Sequence, residues 1–316
     1  MSTHAPVNGD PRATGIGFVS IAIWGFAALT VHLTRALPPF EVLSIGFGLG
    51  GVSLAAWGYA QQRGFGFLRQ SWHYYAVVIA LIFLNNAAFI LGLRLAPIVA
   101  ASLINYLWPI LIVLLSVPML GRPLRWWHFA GALLGFGGCV WLMSGGRFDS
   151  VMAKTFAQDW PGYVWAFVAA LSWAVYSLVL RRFYDQVPTA TLGAVFIGVA
   201  ALSALTLPIG LAFEGSFNTA WRWPAGAEVV AVLTVGMGTL GLAYACWDYG
   251  AKKGDVRVMG VASYLTPLLS TLVLMLGGDV AVSGTAWLAC LMIIAGAFVG
   301  SAREIFGARA LGLKAQ

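Results

Sequence analysis

Ten stretches of predominantly apolar residues, separated by short polar connections, account for most of the chain. They cover residues 14–34, 42–60, 74–93, 98–120, 126–145, 161–180, 189–213, 227–250, 257–277 and 284–302. A helix needs about 20 apolar residues to cross a bilayer, so each stretch predicts one transmembrane helix. The composition agrees, because 60% of the residues are hydrophobic, 9% are charged and the mean hydropathy is +0.85. The sequence therefore predicts an all-α membrane protein with ten transmembrane helices.

The Lys and Arg residues predict how these helices are oriented. With both termini cytoplasmic, thirteen of the 18 Lys and Arg residues lie on the cytoplasmic side and five lie outside, as the positive-inside rule requires. The net charge of +7 is spread over short connections, so it indicates topology in a lipid bilayer and no nucleic-acid partner. The three cysteines are isolated and no His/Cys spacing suits a metal, so we expect no metal and no cofactor.

The two halves of the chain resemble each other at spaced positions. An offset of 158 residues aligns Leu84 with Leu242, Ala87 with Ala245, Gly92 with Gly250, Tyr106 with Tyr264, Pro109 with Pro267 and Gly138 with Gly296, and an offset of 149 aligns Trp24 with Trp173 and Pro39 with Pro188. Each repeat contains five predicted spans, and because five is odd the second repeat enters the membrane from the opposite side. This is the inverted-repeat plan of secondary transporters, which bind substrate near the middle of the membrane between the repeats.

The repeat defines the predicted organisation of the chain. We divide it into a cytoplasmic N-terminal tail (1–13), a first five-helix repeat (14–145), an external connection (146–160), a second five-helix repeat (161–302) and a cytoplasmic C-terminal tail (303–316). The two repeats are expected to surround a central cavity.

Two proline-containing stretches are predicted to form opposite walls of that cavity. In the fourth span, Asn105, Tyr106 and Trp108 precede or adjoin Pro109, and a weaker copy in the ninth span runs from Ser263 to Pro267. A proline inside a helix frees a carbonyl and bends the helix, and polar groups at this depth normally face protein or water rather than lipid. Pro109 and Pro267 are therefore predicted to be helix hinges.

The same stretches carry a family resemblance. The residues concerned are Asn105-Tyr106-Leu107-Trp108-Pro109, Trp173-Ala174-Val175-Tyr176, Gly241-Leu242-Ala243-Tyr244-Ala245-Cys246-Trp247 and Ser263-Tyr264-Leu265-Thr266-Pro267. With them the chain resembles the ten-helix, EamA-type branch of the drug/metabolite transporter superfamily. The resemblance implies a multi-pass protein of the bacterial inner membrane that exports amino acids and related metabolites through a cavity open to alternate sides. It departs from the pattern at Asp248, where an amide is expected.

An amino acid in transit needs donors for its carboxylate, acceptors or ring faces for its ammonium group, and an apolar wall for its side chain. The predicted substrate-binding residues that supply these are Trp108, Tyr106, Asn105, Trp173, Tyr244, Trp247, Tyr264 and Asn86. Each aromatic ring could instead be a packed core residue or an interface anchor, and each amide could serve an interhelical hydrogen bond. Trp108 is slightly favoured over Tyr106 as the contact, because residues i and i+2 do not share a helix face.

Asp248 has two interpretations. It precedes Lys252 by four residues, a spacing that allows an ion pair on a helix surface. Alternatively, it is a buried carboxylate that couples transport to protons.

The residues favour an exporter of aromatic amino acids that works by alternating access. Whether it also exports other neutral amino acids is left open. An exporter or uptake carrier of another small metabolite or drug is the main alternative. A membrane-embedded enzyme is a remote one, because no nucleophile with a base, carboxylate pair or metal cluster is visible, and we expect no enzyme activity. Gly131-x-x-x-Gly135 and Gly296-x-x-x-Gly300 suit helix contacts within or between chains, so the oligomeric state stays open, with a monomer slightly favoured.

Overall fold

The computed structural model describes residues 9–34, 37–121, 126–146, 156–212, 221, 223–276, 284, 287–296 and 298–299. Within these ranges all regular secondary structure is helical. The longer α-helices are α1 (Pro11–Thr34), α2 (Pro39–Gln62), α3 (Trp72–Leu95), α4 (Ile98–Asn105), α5 (Trp108–Leu120), α6 (Trp126–Met143), α7 (Phe156–Phe183), α8 (Leu192–Ala212), α9 (Ala227–Thr234), α10 (Ala243–Lys253), α11 (Val256–Ala262), α12 (Leu265–Leu276) and α13 (Trp287–Gly296). Short 3-10 turns lie at Gly66–Leu68 and Thr189–Thr191, and a π-helix joins α9 to α10 at Val235–Leu242.

Eight helical stretches in the described part of the chain are long and apolar enough to cross a membrane. They are Pro39–Gln62, Trp72–Leu95, Ile98–Leu120, Trp126–Met143, Asp159–Phe183, Thr189–Thr206, Ala227–Lys253 and Val256–Val273, and they correspond to eight of the ten predicted spans. The first predicted span coincides with α1 and the last with the shorter α13, neither of which is among the eight. The C-terminal tail and most of the predicted N-terminal tail and external connection lie outside the described residues, as does Gly300 of the second glycine motif.

Two of the predicted spans are broken near their prolines. The first break separates α4 from α5 at Tyr106 and Leu107, and Pro109 is the second residue of α5. Proline has no N–H to donate to the carbonyl four residues earlier. Next to Pro109 the helix tightens, and hydrogen bonds join residues three apart, such as Leu107 N to Ile104 O at 3.1 Å. The second break separates α11 from α12, just before Pro267. Both predicted hinge prolines thus lie at the start of the helix that follows a break.

Glycines bring the backbones of α2 and the π-helix into direct contact. A Cβ added to Gly50 would lie 2.8 Å from the carbonyl oxygen of Gly236, and one added to Gly236 would lie 2.9 Å from that of Gly46. Such distances leave no room for a side chain, so small residues are needed wherever these helices cross. The π-helix is a feature that the apolar pattern did not predict, and π-helical turns are often found at functional sites.

The helix contacts of the two halves correspond to each other. A Cβ on Gly92 of α3 would lie 3.0 Å from the backbone nitrogen of Ala166 in α7, and one on Gly250 of α10 would lie 2.8 Å from the Cα of Gly17 in α1. Gly92 and Gly250 are separated by 158 positions, and Gly17 and Ala166 by 149. The packing of α3 on α7 therefore repeats, at the offsets of the sequence repeat, in the packing of α10 on α1.

Candidate substrate site

Five aromatic side chains from four helices form one cluster, which we call the aromatic cluster. Its members are Trp24 of α1, Trp108 of α5, Trp173 of α7, and Tyr244 and Trp247 of α10. The centroids of contacting rings lie between 5.1 and 6.2 Å apart, mostly edge to face, an arrangement that aromatic pairs prefer. Trp247 is fully buried and Trp108 is 9% exposed. The cluster places rings from both halves of the chain against one another.

Asn86 adds an amide to the aromatic cluster. Its Nδ2 donates to the hydroxyl oxygen of Tyr244 at 3.2 Å and to the carbonyl of Ile82, one turn earlier in α3, at 2.9 Å. Together with Trp108, Trp173, Tyr244 and Trp247, it makes five of the eight predicted substrate-binding residues that come together. Trp24 was not among the predictions. The signal that could have found it is its alignment with Trp173 in the sequence repeat.

The other three predicted residues lie at the helix breaks. The hydroxyl of Tyr264 donates to the carbonyl of Tyr106 at 3.2 Å and thereby ties one break to the other. Tyr264 is fully buried and belongs, with Tyr106, to a second apolar cluster in which its ring lies 6.4 Å from that of Phe136. Asn105 has a buried Oδ1 that accepts no hydrogen bond from the described residues. The structure thus joins Tyr106 to Tyr264 but does not place either ring in the aromatic cluster.

The four indole N–H groups of the aromatic cluster differ in what they contact. Trp24 Nε1 donates to the carbonyl of Thr239 at 3.1 Å, and Trp247 Nε1 donates to the hydroxyl of Ser177 at 3.0 Å. The indole nitrogens of Trp108 and Trp173 have no hydrogen-bond partner in the described part of the chain, and neither nitrogen is fully buried. Two N–H donors within the cluster are therefore available to a ligand.

Asp248 forms the ion pair of the first interpretation, but the pair is buried, as the second interpretation required, and does not lie on a helix surface. Its Oδ2 accepts from Lys252 Nζ at 2.8 Å and from Thr189 Oγ1 at 2.6 Å, and the two charged side chains are 0% and 2% exposed. Lys252 Nζ also donates to the carbonyl of Val187 at 3.1 Å, and Arg181 Nη1 donates to the carbonyl of Lys252. Spacing along one helix could not predict this burial, because residues between α7 and α8 provide it.

Three residues contact the residue that occupies the equivalent position in the other half of the chain. The pairs are Trp24 with Trp173, which are 149 positions apart, and Asn86 with Tyr244 and Tyr106 with Tyr264, which are 158 positions apart. These are the offsets at which the two halves of the sequence align. Contacts between equivalent residues thus occur both at the aromatic cluster and between the two helix breaks.

Comparison with known proteins identifies relatives that transport small molecules. The pattern of the EamA-like transporter family matches residues 13–144 and again residues 160–301. The chain is 41% identical to the aromatic amino acid exporter YddG of Ancylobacter novellus, over 92% of this chain and 96% of that protein. It is 25% identical to the aromatic amino acid exporter YddG of Escherichia coli, over 91% of this chain and 96% of that protein.

Two further similarities complete the comparison. The chain is 22% identical to an S-adenosylmethionine uptake transporter of Rickettsia prowazekii, over 49% of this chain and 47% of that protein. A solved crystal structure with 40% sequence identity superposes with a TM-score of 0.82 and covers 92% of this chain and 97% of its own. The family match spans most of the chain in two parts, and the resemblance noted in the sequence is confirmed: the chain belongs to the EamA-like transporter family.

Proposed function

We propose that this protein is a secondary transporter of the bacterial inner membrane that exports amino acids, aromatic ones and other neutral ones, together with related metabolites. The observation that carries the proposal is the aromatic cluster, in which Trp108 and Trp173 offer indole N–H groups that bind nothing else in the described chain. Similarity to an aromatic amino acid exporter at 41% identity over nearly the whole chain supports the same substrate class.

Each part of an amino acid has a matching group in this site. The indole N–H groups of Trp108 and Trp173 donate to the carboxylate. The ammonium group lies against ring faces, where a cation gains about 0.5–2 kcal/mol. The hydroxyl of Tyr244, which Asn86 holds in place, adds a polar group beside these rings. The remaining ring surface, including that of Trp247, forms the apolar wall for the side chain.

The helix breaks complete the proposed cavity. Asn105, Tyr106 and Tyr264 lie where α4 and α11 end, and irregular backbone at membrane depth is tolerated where it lines a cavity or is buried in protein. The buried Oδ1 of Asn105, which has no partner among the described residues, is an acceptor that a substrate ammonium group or a water molecule would satisfy. Pro109 and Pro267 act as the hinges at which these walls bend.

The proposed architecture is ten transmembrane helices arranged as two inverted five-helix repeats around the aromatic cluster. When two halves are related by a two-fold axis, a residue contacts its own equivalent only if it lies close to that axis. The contacts of Trp24 with Trp173, of Asn86 with Tyr244 and of Tyr106 with Tyr264 support one such axis. Both termini are cytoplasmic, as the distribution of Lys and Arg favours, and transport proceeds by alternating access of the two repeats around the fixed site.

Reconstitution into liposomes tests the proposal. The purified protein is tested with labelled aromatic amino acids, Thr and Met, and with S-adenosylmethionine, because distant relatives that take up this compound make uptake of another metabolite the alternative function. We expect exchange of aromatic amino acids above the rate of empty liposomes. Movement of S-adenosylmethionine without any amino acid would favour the alternative, and no movement of any amino acid would overturn the proposed substrate class.

A role for Asp248 in proton coupling is tested in the same liposomes with and without a pH gradient. The Asp248→Asn, Lys252→Met double variant removes the titrating carboxylate without leaving a buried charge unpaired. We expect it to retain exchange but to lose any acceleration by the gradient. An acceleration equal to that of the unmodified protein would remove Asp248 from the coupling mechanism.

A further inference from the structure

A polar cluster, in which Asp248 and Lys252 are buried, ties the end of α10 to the segment between α7 and α8. Its members are Arg181, Thr189, Asp248 and Lys252, and the carbonyl of Val187 accepts one of its hydrogen bonds. We call it the α10 polar cluster. Burying charges is costly unless they are paired and hydrogen-bonded, and here the carboxylate has two donors and the ammonium group two acceptors. Separating α10 from this segment would therefore break several bonds together.

The α10 polar cluster adjoins the proposed substrate site. Asp248 follows Trp247 directly in α10, and Trp247 donates its indole N–H to Ser177, one helical turn before Arg181 in α7. Ser177 and Trp247 are both fully buried. The contacts between α7 and α10 thus run continuously from the aromatic cluster to the α10 polar cluster, which covers the site from that end.

This packing occurs in the second half of the chain and has no counterpart at the equivalent positions of the first half. The positions equivalent to Thr189 and Asp248 in the first half are Phe40, at the start of α2, and Ile90, near the end of α3. The turn at Thr189–Thr191 packs against α10, whereas α2 and α3, both fully described, do not pack against each other to a similar extent. A phenylalanine and an isoleucine also cannot form the hydrogen bonds that join Thr189 to Asp248.

Not every polar atom near this contact is satisfied. Asp248 Oδ1 and the hydroxyls of Tyr74 and Tyr176 are buried without a hydrogen-bond partner in the described part of the chain, and both tyrosines lie within electrostatic range of Asp248. Water entering between α7 and α10 would satisfy all three atoms. Separating the two elements would exchange the bonds of the α10 polar cluster for hydrogen bonds from water to these atoms.

We propose that the α10 polar cluster is the cytoplasmic gate of the transport cycle, and this inference rests on the proposed alternating-access function. When two inverted repeats exchange conformations, a contact between equivalent residues is exchanged with itself and persists. A contact present at one end only must separate. The three contacts between equivalent residues therefore remain throughout the cycle, while Thr189 leaves Asp248 when the site opens to the cytoplasm.

Labelling of a buried cysteine tests the gate. Cys139, Cys246 and Cys290 are replaced by Ala, Ser177→Cys is introduced as the reporter, and inside-out membrane vesicles are treated with a charged, membrane-impermeant maleimide, which reaches the thiol from the cytoplasmic side only. We expect Thr189→Val to accelerate labelling about tenfold, the effect of removing one hydrogen bond to a charged group. The Asp248→Asn, Lys252→Met pair should accelerate labelling further. Labelling at the unmodified rate in both would overturn the proposal.

Ser44→Ala is the matched control. Ser44 donates to the carbonyl of Ala200 at 3.0 Å across the interface of α2 and α8, which is expected to persist in both states. Its loss removes one interhelical hydrogen bond but should leave the labelling rate unchanged. Acceleration equal to that of Thr189→Val would mean that labelling reports general loosening and not a gate.

A crosslinking experiment keeps the proposal testable if a variant folds poorly. In the cysteine-free chain, which also carries Lys252→Met so that no buried charge is left unpaired, a short bifunctional thiol reagent with a reducible link joins Thr189→Cys to Asp248→Cys, and amino acid exchange in liposomes is measured before and after reduction. Gly48→Cys with Ala200→Cys is the control, since the Cβ atoms would be 3.9 Å apart, within the range of a disulfide. We expect reversible loss of exchange in the first pair only, and loss in neither would overturn the gate.

The two proposals can fail separately. Amino acid exchange that continues with Thr189 crosslinked to Asp248 would remove the gate and leave the exporter function intact. Accelerated labelling in Thr189→Val, in a protein that moves no amino acid, would support the gate and reject the proposed substrate.

Discussion

Replacing Trp173 by Phe should weaken recognition of the substrate carboxylate without removing the ring that packs in the aromatic cluster. The variant loses the indole N–H, which has no partner among the described residues and is not fully buried. It keeps a six-membered ring facing Trp24 and Trp247. Trp108→Phe makes the equivalent change at the second available donor.

The size of the effect follows from the hydrogen bond that is lost. A hydrogen bond to a charged group contributes about 1.5–3 kcal/mol, and each 1.4 kcal/mol corresponds to about tenfold in affinity, so the range is about 10- to 150-fold. Because the indole nitrogen of Trp173 is partly accessible, water replaces some of the lost interaction. We therefore expect a loss close to tenfold in each single variant.

A pair of ligands separates this effect from changes in packing. The dissociation constants of phenylalanine and of phenethylamine, which has no carboxylate, are measured for each variant by competition with a labelled amino acid. Loss of ring volume weakens both ligands, whereas loss of the donor weakens only phenylalanine. The affinity for phenylalanine, relative to that for phenethylamine, should fall about tenfold in Trp173→Phe and in Trp108→Phe, which is the magnitude of one hydrogen bond to a charged group.

Trp24→Phe is the matched control for this experiment. Its indole N–H is engaged by the carbonyl of Thr239, so its removal should lower stability and leave the affinity ratio unchanged. An unchanged ratio in Trp173→Phe and Trp108→Phe as well would refute the assignment of these indoles as carboxylate donors.

Three further predictions concern thermal or denaturant unfolding in detergent. Lys252→Met leaves the buried carboxylate of Asp248 unpaired and should lower the unfolding free energy by about 3–5 kcal/mol. Adding Asp248→Asn should recover most of that loss. Equal losses in the single and double variants would contradict the buried pair. Gly135→Ala would place a methyl carbon 2.6 Å from a ring carbon of Tyr264 and should cost about 1–3 kcal/mol. Gly15→Ala, with nothing within 4 Å of the added Cβ, should instead stabilise its helix by about 1 kcal/mol. A protein that is more stable with Gly135→Ala than with Gly15→Ala would show that close packing does not require glycine at position 135. Tyr264→Phe removes one hydrogen bond between the helix breaks and should cost about 1 kcal/mol, so an unchanged stability would show that this bond contributes nothing.

The features that the sequence predicted well depend on local properties of the chain. A run of about 20 apolar residues predicts a membrane-crossing helix whatever surrounds it, and a proline prevents a backbone hydrogen bond in any helix. Eight predicted spans and both helix breaks correspond to helices and breaks in the structure for these reasons. The stretches that carry the family resemblance likewise contain Trp173, Tyr244 and Trp247, which meet in one cluster.

The features that were missed depend on contacts between distant parts of the chain. The sequence could not decide between a surface and a buried location for Asp248, because the turn that contacts Asp248 and Lys252 lies about 60 residues earlier in the sequence. Tyr264 was predicted together with the other substrate-binding rings, and the separation of its ring from the aromatic cluster was not predicted. At a helix break the regular 3.6-residue phase is interrupted, so helical spacing no longer predicts which way such a ring points. The π-helix at Val235–Leu242 was also not predicted, and its glycines lie in close contact with α2, far away in the sequence.

The contact of Asn86 with Tyr244 gives the site a polarity that a symmetric site would lack. A side chain on a two-fold axis meets its own copy, as Trp24 does where its ring contacts that of Trp173. A cavity built only from such pairs would hold a zwitterion equally well in two opposite orientations. Asn86 and Tyr244 present an amide on one side of the axis and a phenol on the other. Because of this pair, the two opposite orientations of a bound zwitterion are not equivalent.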